Sequence, residues 1–327
     1  MYDIITVGSS TIDCFVDTGE SLFKNTKTVR GQSVVNVPFG TKIMVDKLRF
    51  LTGGGGTNTA VAFSRLGLKT AYIGKLGGSQ SNLILDELKK EKVTTSFIVK
   101  GENTGFSVVL DAQGHDRTII TYKGSNNDLS FKELPLKKIK TKWFYMASMV
   151  GKSYETLLKL IEYAEKNNIK VAFNPSSYIA TQGYIRLKSI LAATDLLVFN
   201  REEAGELLGK NYPTETMMRK LKALVKGIVV VTDGKNGSFC YDGSLLYYLP
   251  GSQDKKPVET TGAGDSFGSA FVAGLIKGKS IEYCMKMGQA NAESVIMAHG
   301  AKTNLLTFGK IQREIKNLNS FIDTKKV

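Results

Sequence analysis

Residues Val258–Leu275 read VETTGAGDSFGSAFVAGL. Val258 to Thr261 have extended character. After Asp265 the period becomes helical, with Phe267, Ala270, Phe271, Gly274 and Leu275 on one face. The amides of Gly262, Ala263 and Gly264 therefore stand where a helix opens. Residues this small let an anionic oxygen approach the backbone, and free amides with the helix dipole attract it. Asp265 adds a carboxylate beside that anion hole. Spacing alone favours a plainer role for Asp265, an acid in the first turn of a helix. The pairing points to chemistry instead. A carboxylate can take the proton of an attacking hydroxyl while adjacent amides hold a phosphoryl group in flight.

A second glycine cluster, TGGGGTNTAVAFSRLG, runs from Thr52 to Gly67. Gly53 to Gly56 make a poor core strand and suit a loop whose backbone crowds a ligand. Asn58, in the first turn of the helix that follows, offers an amide donor and a carbonyl acceptor. A flexible turn with Asn58 as a helix-start residue explains the same pattern equally well.

Outside these stretches, short apolar runs recur: DIITVG, TAYIGKLG, KWFYMAS, IKVAFNP, DLLVFN and GIVVVTDG. Between them lie segments of helical period, including Thr59–Leu66, Ser81–Lys90, Ser153–Asn167 and Glu202–Leu208. Alternating strands and helices predict an α/β fold, a central mostly parallel sheet flanked by helices. Ligands of such sheets bind beyond the carboxyl ends of the strands. Helices dominate after Gly262. Two regions break the rhythm, about 14–52 and 95–123. In the second, GFSVVLDAQGHDRTIITYKG alternates β-branched and aromatic residues around DAQG, as a hairpin does. These regions predict a small β-sheet lid inserted into one domain spanning 1–327, with an edge hairpin of no gating role as the competing expectation.

Composition narrows the class. Hydrophobic residues make up 42% and charged residues 23% of 327, ordinary for a soluble globular protein. No apolar run is long enough to span a membrane, and MYDIITVGSS does not read as a signal peptide. Cys14, Cys240 and Cys284 are scattered and form no C-x-x-C pair, which suits reduced thiols in the cytoplasm. The net charge is +14. Its lysines are spread along helix faces such as LKKEK and KKIKTK, with no nucleic-acid motif, so a basic surface attractive to phosphorylated ligands is expected rather than a nucleic-acid partner.

GGGGTNTAVAFSRLGLKTAYIGKLG and VETTGAGDSFGSAF, in this order in one chain, resemble the two signatures of the PfkB/ribokinase family of carbohydrate and nucleoside kinases. The likeness extends over nearly the whole chain. It implies a ribokinase-like fold with a β lid over the acceptor, and transfer of the γ-phosphoryl group of ATP, with Mg²⁺, to a hydroxyl of a small molecule. Under it Asp265 matches the catalytic base, and Gly262, Ala263 and Gly264 match the anion hole. Asp13, in VGSSTID, matches an acid that holds acceptor hydroxyls; Gly54 and Asn58 match acceptor-loop positions. Asn200 and Glu203, in NREE, match an element that organises Mg²⁺ and its waters. Thr232, Gly234 and Gly237, in TDGKNG, match a turn beside the nucleotide, and Asn291, in GQANAES, falls where the family packs adenine. Glu259 stands where the family usually has Asp beside a monovalent-cation site, which leaves K⁺ open.

Several of these residues have plainer roles. Asp13 can cap a turn, Asn200 and Glu203 can form a helix cap, Thr232 and Gly234 can be an ordinary strand exit, and Asn291 can be a surface residue. GLIKGKS, Gly274–Ser280, imitates a P-loop, but Ala273 stands where that motif needs glycine; it reads as a helix end at Gly278 and a new start at Ser280. TVGSSTID lacks G-x-G-x-x-G, which argues against a dehydrogenase. His115 and His299 have no partners suggesting a metal or a triad. For the acceptor, a sugar or sugar derivative leads and a nucleoside is the alternative. The tail HGAKTNLLTF is similar to archaeal nucleoside kinases of the family, and Phe15, Phe39, Phe106 and Tyr122 could stack a base or form lid core. A phosphorylated sugar suits the basic surface. A non-catalytic regulator on the same fold is the rival class. An exposed lid edge also suits a homodimer.

Overall fold

The computed structural model describes residues 1–17, 26–29, 32–35, 40, 42–111, 118–253, 255–317 and 321–327. Its first half contains β1 (Tyr2–Val7), β2 (Thr11–Asp17), β3 (Thr26–Val29), β4 (Gln32–Val35), β5 (Lys47–Gly53), α1 (Gly55–Arg65), β6 (Thr70–Gly77), α2 (Ser81–Lys90), β7 (Thr94–Gly101), β8 (Gly105–Asp111), β9 (Thr118–Tyr122) and β10 (Thr141–Ala147). Then follow α3 (Lys152–Lys166), β11 (Lys170–Asn174), α4 (Ser177–Ala180), α5 (Gly183–Ala192), β12 (Leu196–Asn200), α6 (Arg201–Leu208), α7 (Thr214–Lys222), β13 (Ile228–Thr232), β14 (Ser238–Tyr241) and β15 (Leu245–Leu249). The chain closes with α8 (Ala263–Ile276), α9 (Ile281–Val295), α10 (Phe308–Asn317) and β16 (Asp323–Lys326).

The large sheet has the order β16-β15-β14-β13-β12-β11-β10-β1-β6-β7. From β7 to β13 every neighbouring pair is parallel; β13 to β16 continue antiparallel. Successive strand residues face opposite sides, and the core divides accordingly. Ile5, Phe144, Phe173, Phe199 and Val229 pack with Leu157, Leu191 and Met217 from α3, α5 and α7. Their neighbours Ile4, Tyr145, Ala172, Val198 and Val230 pack with Phe63, Phe271 and Met287 from α1, α8 and α9. Apolar residues at every strand position thus serve two helical layers, which is why these strands read as unbroken runs. The imitation P-loop is a helix junction: α8 ends at Ile276, Gly278 takes φ 68°, and Ser280 caps α9 by accepting from the Tyr283 amide.

A second sheet, β5-β2-β8-β9, stands apart from the first. β2 pairs antiparallel with β5 and parallel with β8, and β8 pairs antiparallel with β9. The turn expected at DAQG lies, from Ala112 onward, outside the described residues, as do Phe39 and His115. The structure corrects the expected lid bounds. Thr94–Gly101 pairs with β6 at the edge of the large sheet, and the second sheet takes up the chain again only at Gly105. An edge strand half-covered on one side alternates as a lid strand does, so local pattern cannot separate the two. β16 was not anticipated either: its DTKK sequence is exposed throughout and carries the charge common on sheet edges.

Candidate active site

The carboxyl ends of the parallel strands converge. Ser9, Ser148, Asn174, Asn200 and Thr232, at or just beyond the ends of β1, β10, β11, β12 and β13, line a cavity of about 360 Å³ together with Glu203, Gly262, Gly264 and Asp265. A second cavity, of about 280 Å³, is lined by Gly234, Gly237, Lys255, Ala263, Phe267, Gln289 and other residues. Thr232 and Gly264 line both, so the cavities meet at the mouth of α8.

α8 opens on Gly262, its N-cap, at φ 80°. A side chain there would be strained and would press within 2.7 Å of the Ala301 Cα. Gly264 has no atom within 4 Å of where a Cβ would stand, so its missing side chain leaves open space rather than packing. α1 opens on Gly54 at φ 94°, where a Cβ would lie 2.6 Å from the Ser10 Cα. This tight stacking of the glycine loop on Ser9 and Ser10 gives Gly54 a packing role of its own. The first turn of α1 holds no acid. Its Gly55 brings the position of a Cβ to 3.4 Å from Asp265 Oδ1. Two helix N-termini therefore face one carboxylate.

Asn58, 5% exposed, donates from Nδ2 to Asp265 Oδ2 at 2.8 Å. Its Oδ1 finds no partner among the described residues. Desolvation raises the Asp265 pKa, while the Asn58 hydrogen bond and the charge of Lys302 oppose the rise. Asp13 is on β2, beyond the glycine loop, where a side chain at Gly53 would collide with its carboxylate. Desolvation raises its pKa too, against hydrogen bonds from Thr11 and Ser107 and the charge of Lys302. Asp13, Gly54 and Asn58 do not line the larger cavity; they stand behind its Gly55 wall.

Asn200 and Glu203 form a capping box on α6: Asn200 Oδ1 accepts from the Glu203 amide at 2.8 Å, and Glu203 Oε2 accepts from the Asn200 amide at 3.0 Å. Burial, with Glu206 and Asp265 nearby, pushes the Glu203 pKa up to about 7. Among the described residues no three His, Cys, Asp or Glu side chains gather as a metal cage. Glu259 Oε2 accepts from the Gly300 amide at 2.8 Å, with His299 Nδ1 3.7 Å away.

The structure corrects one expected position. Asn291 is fully buried; its Nδ2 donates to the Ser266 carbonyl and its Oδ1 accepts from the Leu306 amide, so it ties α8 to the chain after α9 and lines neither cavity. Gln289 and Glu293 line the second cavity instead, with Glu293 paired to Lys255 at 2.7 Å. Sequence inspection also missed Lys302, one lysine among many, which is 4% exposed beneath the glycine loop.

A sequence model described as pfkB family carbohydrate kinase matches residues 3–307. The ribokinase of Bacillus subtilis (strain 168) is 30% identical over 318 residues, covering 95% of this chain and 99% of its own. The crystal structure of a Methanocaldococcus jannaschii nucleoside kinase, an archaeal member of the ribokinase family, superposes with a TM-score of 0.79 at 25% identity, covering 96% of this chain and 98% of that one. Arabidopsis thaliana ribokinase, solved with ribose and ATP, superposes with a TM-score of 0.79 at 21% identity over 96% of this chain and 99% of its own.

Proposed function

The chain belongs to the pfkB family of carbohydrate kinases, which are ATP-dependent phosphotransferases, and from that membership we propose that it moves the γ-phosphoryl group of ATP to a hydroxyl of a small sugar or sugar derivative. One observation carries the proposal: Asp265, held by Asn58, lies where the two cavities meet the amides of Gly262, Ala263 and Gly264.

In this proposal the adenine enters the cavity lined by Gly234, Gly237, Phe267 and Gln289, and the phosphates run past Thr232 to the α8 N-terminus. The acceptor hydroxyl sits between Asp265 and the γ-phosphorus, with Asp13 and Asn58 on the lid side. Asp265 removes the hydroxyl proton as the oxygen bonds to phosphorus, the bond to the β-phosphate oxygen breaks, and ADP leaves. The α8 amides hold the transferring oxygens. Positioning and charge stabilisation dominate this chemistry. Glu203 is a buried carboxyl on the cavity wall, and a divalent cation reached through water would favour its ionised form over the protonated form that burial promotes. Asn200 and Glu203 would hold Mg²⁺ that arrives with the nucleotide, and the ion would neutralise phosphate charge. At Glu259 the Gly300 amide takes up Oε2, and the proposal assigns no step to K⁺.

A sugar fits better than a nucleoside. No lid aromatic among the described residues lines the larger cavity. Phe15 meets His299 edge-on at 6.3 Å, Phe106 packs against a core cluster, and Tyr122 is 58% exposed. The larger cavity's lining includes the polar Asn126, Asn127, Ser148 and Ser176, with Tyr178 and Phe199 as its aromatic members. The proposal includes a homodimer through the lid, where Leu48, Phe50, Ile120 and Tyr122 lie in the open; light scattering should give twice the monomer mass. Three buried free cysteines support a cytoplasmic setting. The deciding experiment is Mg-ATP turnover over ketoses, ribose, 2-keto-3-deoxy acids and nucleosides. ATP binding without product from any acceptor would favour a regulatory protein.

A further inference from the structure

We propose that Lys302 is a positioning residue for phosphoryl transfer: its buried ammonium keeps the acceptor acid Asp13 and the base Asp265 ionised together. The inference rests on the kinase reading above and concerns the charge beneath that site.

Its geometry follows one short stretch of chain. Lys302 Nζ donates to Thr52 Oγ1 at 3.0 Å and to Glu87 Oε2 at 2.7 Å. Thr52 also donates to Glu87. The next residue, Gly53, leaves room for the Asp13 carboxylate, and Gly55 stands against Asp265. The ammonium thus lies against the residue that adjoins the Asp13 contact and stands three residues along the chain from the Asp265 contact, where burial weakens screening. Lys302 is the cation whose charge acts on both acids.

Other groups face these three. Tyr145 on β10, Glu203 on α6 and Asn58 on α1 face Asp265. Thr11, Ser107 and Glu259 face Asp13. Glu87 on α2 and Glu91 just after it face Lys302, and Arg65 of α1 donates to the Lys302 and Leu305 carbonyls at 3.1 Å each. Arg65 is itself held by Glu91, at 2.7 Å. Burying an ion pair costs desolvation, and apolar residues of similar size often fold as well or better. Packing alone therefore does not account for an ammonium buried beside Glu87 with two carboxylates near it.

The test is the pH dependence of kcat and kcat/KM with the best acceptor. Loss of turnover in Asp265→Asn checks the kinase reading separately, because it does not depend on Lys302. Removing the cation destabilises the ionised carboxylates, so their pKa values rise. In Lys302→Met the acid limb should move up by about one pH unit, and Lys302→Arg should restore it. Glu87→Gln removes the negative charge beside the ammonium while its amide oxygen can still accept from Lys302, so its acid limb should stay or move down. Should Lys302→Met fold poorly, Lys302→Gln keeps a hydrogen-bond donor for Glu87 without the charge and should shift the limb upward. An unmoved limb in Lys302→Met or in Lys302→Gln overturns the proposal. An upward shift of equal size in Glu87→Gln overturns it too, because the effect would then be structural.

Discussion

Asn58 Nδ2 and Asp265 Oδ2 are joined by a 2.8 Å hydrogen bond across 207 residues of chain. It ties the first turn of α1 to the first turn of α8, so the two glycine-rich stretches form one site. The bond also orients the carboxylate, leaving Oδ1 toward the Gly55 side. Four measurements follow from this site.

Asp265→Asn should lose at least about 10²-fold in kcat, the lower end for removal of a general base. The amide keeps the shape, so the melting temperature and ATP binding by calorimetry should stay close to wild type. Near-normal turnover in the purified variant would remove Asp265 from the role of base.

Asn58→Leu withdraws a hydrogen bond that lowers the Asp265 pKa. A carboxylate base works when ionised, so activity falls as pH drops through its pKa. With Asn58 gone that pKa rises, and the acid limb of kcat/KM should move to higher pH. Stopped-assay profiles from pH 5 to 9 would reveal it; an unmoved limb would mean that the bond only holds the two helices together.

Gly264→Ala separates folding from function. No atom lies within 4 Å of the new methyl, and alanine favours a helix over glycine by about 1 kcal/mol. The variant should melt at or above the wild-type temperature. Its methyl nonetheless projects where both cavities meet, so phosphate should be blocked and turnover should fall by at least about tenfold, an energy of about 1.4 kcal/mol. Unchanged turnover would place the phosphate elsewhere.

Glu203 titrates near neutrality, with a folded pKa of about 7 against 4.5 for the free side chain. A raised acid pKa means that the native state binds the proton more tightly. The associated stability is present below the unfolded pKa and is lost as pH rises through about 7. Thermal melts of the ligand-free protein from pH 5 to 8 should decline by on the order of 1–3 kcal/mol from this group, and Glu203→Gln should flatten the decline. Mg²⁺ with nucleotide favours the ionised carboxylate and should lessen the slope; EDTA should restore it. Identical slopes in wild type and Glu203→Gln would sink this assignment.

Much of the architecture was legible in the residues. DLLVFN and GIVVVTDG announce buried strands because strands covered on both faces need apolar residues at every position. Ser81–Lys90 coincides with α2 residue for residue because helical period is local. Thr94–Gly101 misled because an edge strand and a lid strand present the same alternation. Asn291 misled for a sharper reason. It lies two residues from Gln289, about 200° around the helix, so the one that looked apt faces the core and its neighbour faces the cavity.

The sequence by itself determined the alternating α/β plan, the helix openings at both glycine stretches and the family to which they belong, since each follows from short-range period and backbone freedom. The tertiary structure alone decided that Asn58 meets Asp265, that Lys302 is buried among acids, and which face of α9 reaches the second cavity. Those contacts join residues far apart in the chain. Burial gives a lone lysine or amide its electrostatic meaning, and burial depends on every element packed around it.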